Sequence, residues 1–275
     1  MRKSAPTALL LLLSAAAALP AHAVVLRYAP KVGVISKYQL TMTGQVDTSL
    51  QGLDQAMSLG ITGAVQYCET ALSESPDRVR MERRTTGGEI TLRMGEDAET
   101  RQVPGSRMVA DMDRRGRLLK IVEQDAGGRP ALDDILGVRW TDLVNIGAFP
   151  ESEVKVGDTW SDRLEIAGAE GSPAVTLRLT SKLLELATFQ GRKCAKIRVT
   201  FDGPLTFGAA EDGRDSGSMK ALLHGDGIWY YDYENGLYAR AEGTVGLSMT
   251  ASGSGSPGLP MTTKMAMALK LSLAD

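Results

Sequence analysis

Residues 261–273 read MTTKMAMALKLSL, and the alternation in this stretch decides the fold class. Met265, Met267, Leu269, Leu271 and Leu273 fall on one side of an extended chain, with Ala266, Ala268, Lys270 and Ser272 on the other. Side chains of a β-strand point alternately to opposite faces, so a period of two marks a strand with one buried and one wet face. The same period recurs upstream. Tyr38, Leu40 and Met42 alternate with Gln39, Thr41 and Thr43, and 61–72, 78–82 and 89–94 continue the pattern.

Turn chemistry cuts this text into hairpins. Asp113-Arg114-Arg115-Gly116 breaks 108–122, and Phe189-Gln190-Gly191 separates 174–188 from 192–207. Glu234-Asn235-Gly236 separates 219–233 from 237–251, and its Asn-Gly pair suits a type I′ turn. One segment is helical in style. In 131–145, Leu132, Ile135, Leu136, Trp140, Leu143 and Val144 recur at helical spacing, Pro130 precedes them, and Asp133 and Asp134 sit near the positive end. The expectation is a mainly β protein: a strongly curved antiparallel sheet, or two related half-sheets over 24–130 and 148–275, packed on that helix. A β-sandwich is the alternative.

Residues 1–23 carry Arg2 and Lys3, an apolar run from Ala8 to Leu19, and Ala21-His22-Ala23. That order is expected of a cleavable secretory signal, and places the mature protein in the periplasm or outside the cell. Val24 and not a cysteine stands directly after Ala23, so a bacterial lipoprotein anchor is not expected. Loss of Arg2 and Lys3 takes the formal charge from −2 to −4, which offers no footprint for nucleic acid. Beyond the signal, no apolar run is long enough for a transmembrane helix.

Few residues invite chemistry. His224 is the only histidine after residue 23, which excludes a multi-histidine metal site and leaves a triad only one base. Cys68 and Cys194 are candidates for one disulfide in an oxidising compartment. The acidic groups Asp111 with Asp113, Asp133 with Asp134, and Glu211, Asp212 and Asp215 are the material for a carboxylate-based hydrolase. Turn and helix-start roles account for the first two groups, and a solvated loop for the third. Ser152-x-x-Lys155 has the spacing of serine acyl enzymes without the accompanying motifs. Met265 and Met267 share a strand face, but no His or Cys stands beside them to complete a Cu(I) site, and no cofactor is expected. Trp229, Tyr231 and Tyr233 share another face and form a candidate partner-contact patch.

Phe149-Pro150 followed by Val154-Lys155-Val156-Gly157-Asp158-Thr159-Trp160 resembles a phrase of uncharacterised secreted bacterial β proteins, families of the domain-of-unknown-function type. The order of strands, helix, phrase and long hairpins also resembles the LolA-like lipoprotein-carrier plan, a curved sheet wrapped round a helix. The second resemblance implies an apolar ligand or lipidated partner held between sheet and helix. Trp140, Leu143, Met265, Met267 and Leu269 are the candidate ligand-binding residues. A structural or partner-binding module of the cell envelope is the second expectation, and a hydrolase the third. Protein exported by a bacterial host is expected to begin at Val24, a result read directly by N-terminal sequencing; an intact Met1 terminus would overturn the signal.

Overall fold

The structure is a computed structural model that describes residues 23–50, 56–125, 148–166, 175–207, 218–252 and 261–274. Those residues form twelve strands: β1 (Ile35–Leu50), β2 (Ala56–Glu74), β3 (Arg78–Met94), β4 (Asp97–Gln102), β5 (Ser106–Asp113), β6 (Leu118–Gln124), β7 (Thr159–Ile166), β8 (Val175–Phe189), β9 (Arg192–Phe207), β10 (Ser218–Asp232), β11 (Leu237–Ser252) and β12 (Met261–Ala274). They lie in one open antiparallel sheet in the order β6-β5-β3-β2-β1-β12-β11-β10-β9-β8-β7, with β4 paired to β3. Two meanders, β1–β6 and β7–β12, are fused where β1 pairs with β12 from Lys37↔Ala274 to Leu50↔Met261. The expectations of separate half-sheets and of a sandwich are therefore corrected. A ladder this long leaves neither meander an independent edge at the junction. The helix expected at 131–145, with Trp140 and Leu143, lies outside the described residues, among which no helix occurs.

Period two explains the packing. In β1, Tyr38, Leu40 and Met42 are buried while Lys37, Gln39, Thr41 and Thr43 are exposed. Cross-strand partners share a face, so the register carries this phase across the sheet. Leu40 stands opposite Val65 on β2 and Leu271 on β12, and Leu247 on β11 stands opposite Met265 and Leu223. The buried residues form one cluster running from Val79 and Ile90 on β3 to Leu177 and Leu183 on β8.

The sheet curls until its two outer hairpins meet at one end. The β5–β6 turn reaches the segment before β7: Arg115 Nε donates to the Phe149 carbonyl at 2.6 Å, and the Phe149 amide donates to the Arg115 carbonyl. The Arg115 guanidinium also lies 2.7 Å from an Asp162 carboxylate oxygen on β7. That oxygen lacks hydrogen-bond geometry with any neighbour, so the contact acts as an ion pair alone. At the other end the hairpin β3–β4 projects beyond the body, and every residue of β4 is exposed.

The turns differ in detail from their sequence reading. At 190–191, Gln190 and Gly191 both have positive φ, the signature of a type I′ turn. Asn235-Gly236 instead ends a four-residue turn in which only Gly236 has positive φ. The cause is Asp232, whose carboxylate accepts from the Glu234 and Asn235 amides and from Asn235 Nδ2, while its carbonyl accepts from the Gly236 amide. A Cβ on Gly236 would lie 2.3 Å from the Ala29 carbonyl carbon and oxygen.

On the inner face, Gly243 of β11 faces Gly227 of β10. A Cβ on Gly243 would lie 2.5 Å from the Asp226 carbonyl oxygen and 2.7 Å from Gly227 Cα, both backbone. Gly243→Ala is thus expected to force the two strands apart at a cost of about 1–3 kcal/mol, a fall of roughly 5 °C in melting temperature. Gly105→Ala, whose nearest neighbour would be the Thr85 carbonyl oxygen at 3.4 Å, should stay within about 0.5 kcal/mol of the parent. Equal melting of the two variants would contradict the close approach.

Candidate functional site

The inner face carries most of the residues singled out by sequence. Met265 and Met267 are buried on β12, and Leu269 is half-buried beside them. Leu40, Val199, Phe201, Trp229, Ala241, Leu269 and Leu271 line an apolar crevice that deepens where Gly227 and Gly243 supply no side chain. Its free volume is about 60 Å3. Toward the projecting end the same face keeps apolar residues but loses its cover. Leu50, Met57 and Met94 are exposed there, Met57 at 61%.

The hairpin aromatics take a different place from the one expected. Tyr231 is wholly buried and donates its hydroxyl hydrogen bond to the Arg27 carbonyl. Its ring packs at 4.3 Å from Phe149 and 5.2 Å from Tyr238 between centroids. Trp229 meets Tyr238 edge-on at 5.2 Å, and Tyr233 is half-buried against the core. An exposed patch of Trp229, Tyr231 and Tyr233 is therefore corrected. The face they share points inward, because residues 24–34 cross this end of the sheet and cover it. Tyr230, on the outer face, stacks on Phe189 at 4.6 Å.

The cysteines are free: Cys68 is half-buried on β2 and Cys194 buried on β9, with β1, β12, β11 and β10 between them. Four intervening strands put about 24 Å of sheet between the two, well beyond disulfide reach. Burial and the Asp232 carboxylate push the Cys194 thiol up to about 11, so it stays protonated. The acidic pair Asp111 and Asp113 is engaged structurally. Arg80 Nε and Nη2 hold Asp111 at 2.8 and 3.0 Å, which keeps its carboxyl below the usual range. Asp113 caps its own turn through the Arg115 and Arg117 amides. Asp133, Asp134, Glu211, Asp212 and Asp215 lie outside the described residues. His224 is exposed on the outer face.

A second cluster went unnoticed in the sequence. Glu69 of β2 and Arg83 of β3 are register partners on the inner face, with side chains 13% and 8% exposed. Arg83 Nε donates to Glu69 Oε1 at 2.8 Å, and Nη2 donates to the same oxygen. The guanidinium carbon lies 5.2 Å from the Tyr67 ring centroid. Burial alone would lower the Arg83 pKa; Glu69 and Tyr67 hold it above the ordinary value. Tyr28, Tyr38 and Tyr238 stand nearby, and burial, reinforced by Glu69, raises all three phenols well above theirs. They remain neutral hydroxyls across the physiological range. The signal for this cluster was a break in phase. Glu69 and Arg83 occupy positions where their strands otherwise place Val65, Tyr67, Val79 and Met81.

Beside this cluster a crevice of about 410 Å3 opens between the chain at 28–38, Glu69, Ala71 and Met81, the 235–238 turn, and Leu273. No protein-family model and no curated protein matches this chain.

A buried charge left without its partner is costly, so Glu69→Gln is expected to lose about 3–5 kcal/mol in chemical denaturation. The pair Glu69→Leu with Arg83→Met should lose less than Glu69→Gln alone. A greater loss in the double variant would show that the ion pair itself supplies the stability.

Proposed function

We propose that this is an exported, non-enzymatic binding protein that holds an apolar ligand, or the lipid chain of a lipidated partner, against the inner face of its sheet. The observation that carries this reading is the continuity of that face. From β3 to β8 it presents apolar side chains in register, and it ends in the exposed Leu50, Met57 and Met94. A void of about 60 Å3 holds roughly two waters at about 30 Å3 each, so a chain enters by displacing side chains. Met42, Met265 and Met267, unbranched and adaptable, are the residues that give way. The structural engagement of Asp111 and Asp113 counts against a hydrolase built on that pair.

One observation favours a partner-binding envelope module as the second reading. β6 is an outer edge of the sheet, and Leu119 and Val122 on it are exposed, so a partner's strand can add there.

Native mass spectrometry of protein purified without detergent from its own host should show a lipid-sized mass excess that organic extraction removes. The stripped protein should take up a fluorescent fatty acid, and Met57→Asp, at the exposed apolar end of the same face, should weaken uptake while leaving the circular-dichroism spectrum of the sheet. Protein that carries no added mass and takes up no probe removes the apolar-ligand reading and leaves the edge-strand reading standing.

A further inference from the structure

The outer face of the sheet is hollowed along one line. A trough of about 810 Å3 crosses it from Thr41 and Thr43 on β1 to Leu184 on β8. On the way it passes over β12, β11, β10 and β9, so its length is about 24 Å at the usual strand spacing. The floor follows one row of the register. Thr43, Ala268, Thr244 and Asp226 line it, all exposed and opposite one another in turn, and the row continues into Thr200 and Thr180. These side chains are short, and the adjoining row is longer. Lys270, Glu242, Ile228 and Arg198, again in mutual register, rise beside the floor. Arg198 Nε and Nη2 reach across to both Asp226 oxygens at 3.0 and 2.6 Å, which holds that carboxyl below the usual range and ionised. Thr41 donates to the Lys270 carbonyl at 3.4 Å, and a hydroxyl that donates still accepts. The charges in the lining cancel, Asp226 and Glu242 against Arg198 and Lys270, while Ile228 and Leu184 add apolar surface.

We propose that this trough binds a linear, uncharged glycan laid across the strands, its hydroxyls on Thr43, Thr244 and Asp226 and a ring face on Ile228. A sugar ring is polar at its edge and apolar on its faces, and the trough offers both kinds of contact side by side. Short hydroxyls and a planar Arg–Asp pair donate and accept at fixed intervals, because neighbouring strands are about 4.8 Å apart. An acyl chain here would strip water from those polar groups and return no hydrogen bonds. A polyanion gains nothing from a lining whose charges cancel. An added peptide strand pairs at a sheet edge, and this trough lies over the middle of the sheet. The proposal goes beyond the apolar-ligand reading and does not rest on it, since the two surfaces are opposite faces of the sheet.

The test is calorimetric titration of the protein exported by its own host with cellohexaose, maltohexaose and N-acetylchitohexaose. The matching disaccharides and the anionic hexagalacturonate serve as comparisons. At least one uncharged hexasaccharide is expected to bind roughly tenfold tighter than its disaccharide, because only the longer chain spans several strands. Thr43→Val with Thr244→Val removes two exposed hydroxyls and keeps β-branched side chains on their strands. That double variant should weaken the hexasaccharide by roughly tenfold without shifting the melting temperature. Ala268→Tyr, which fills the floor of the trough, should abolish binding. Both variants should take up the fluorescent fatty acid as the parent does, whereas Met57→Asp should weaken that uptake and leave the hexasaccharide affinity at its parental value. Absence of binding by all three uncharged hexasaccharides at millimolar concentration overturns the proposal. So does parental affinity in the threonine double variant or in Ala268→Tyr, or tighter binding of hexagalacturonate than of every uncharged chain. Hexasaccharide binding by a protein that takes up no fatty acid would support the trough and remove only the apolar-ligand reading.

Discussion

The structure rests on one constraint: a sheet of twelve strands with one apolar face cannot leave that face in water. Strands of 14–19 residues recur in both meanders, and each half supplies the same inward phase. Curling the sheet removes the face from solvent, and the right-handed twist of long strands gives the curl its hand. Curling also brings the outer hairpins together without register to pair them. Side chains then make the closure that backbone ladders cannot. Arg115 bridges to the Phe149 carbonyl and to Asp162, while the Trp160 indole donates to the Ala148 carbonyl at 2.7 Å. The β-bulges between β5 and β6 and between β10 and β11 bend the strands close to this end.

Residues 24–34 complete the closed end. They form little regular structure, yet their backbone groups are satisfied one by one. Val24 pairs with Val154, the Tyr28 amide donates to the Arg114 carbonyl, and the Gly33 amide donates to the Ala71 carbonyl. The Arg27 carbonyl accepts from the Tyr231 hydroxyl, and Leu26 is wholly buried. The segment therefore ties together the β5–β6 turn, β2, β10 and the approach to β7. Gly236 belongs to this junction, since a side chain there would strike the Ala29 carbonyl.

Sequence periodicity revealed the strands and their faces, because a period of two is a local property that burial writes directly into side-chain choice. The phase of β12 and the inward placement of Met265 and Met267 were legible for that reason. Partnership was less so. Nothing local to Cys68 or Cys194 says that four strands separate them, and pairing of β1 with β12 depends on how two distant meanders meet. Tyr231 shows the same limit: its face was clear, but only the chain crossing at 24–34 decides that this face is interior. The turn at 232–236 departed from its Asn-Gly signal because Asp232, outside that pair, captures the amides. Glu69 and Arg83 were legible in principle as charges out of phase. Their meaning required the register that places them opposite one another.

That pair also bears on how the closed end is organised. Two apolar residues of similar volume would fill the same space at no greater cost, so a buried ion pair is weak evidence for stability alone. Arg83 Nε and Nη2 both donate to Glu69 Oε1 across the β2–β3 register. The guanidinium carbon lies 5.2 Å from the Tyr67 ring centroid, and Glu69 lines the same crevice as Tyr28, Tyr38 and Tyr238. Arg83 anchors the Glu69 carboxylate among these rings. The apolar face drives the sheet to close, and the charge buried at the point of closure gives that end a chemical direction that an apolar plug would lack.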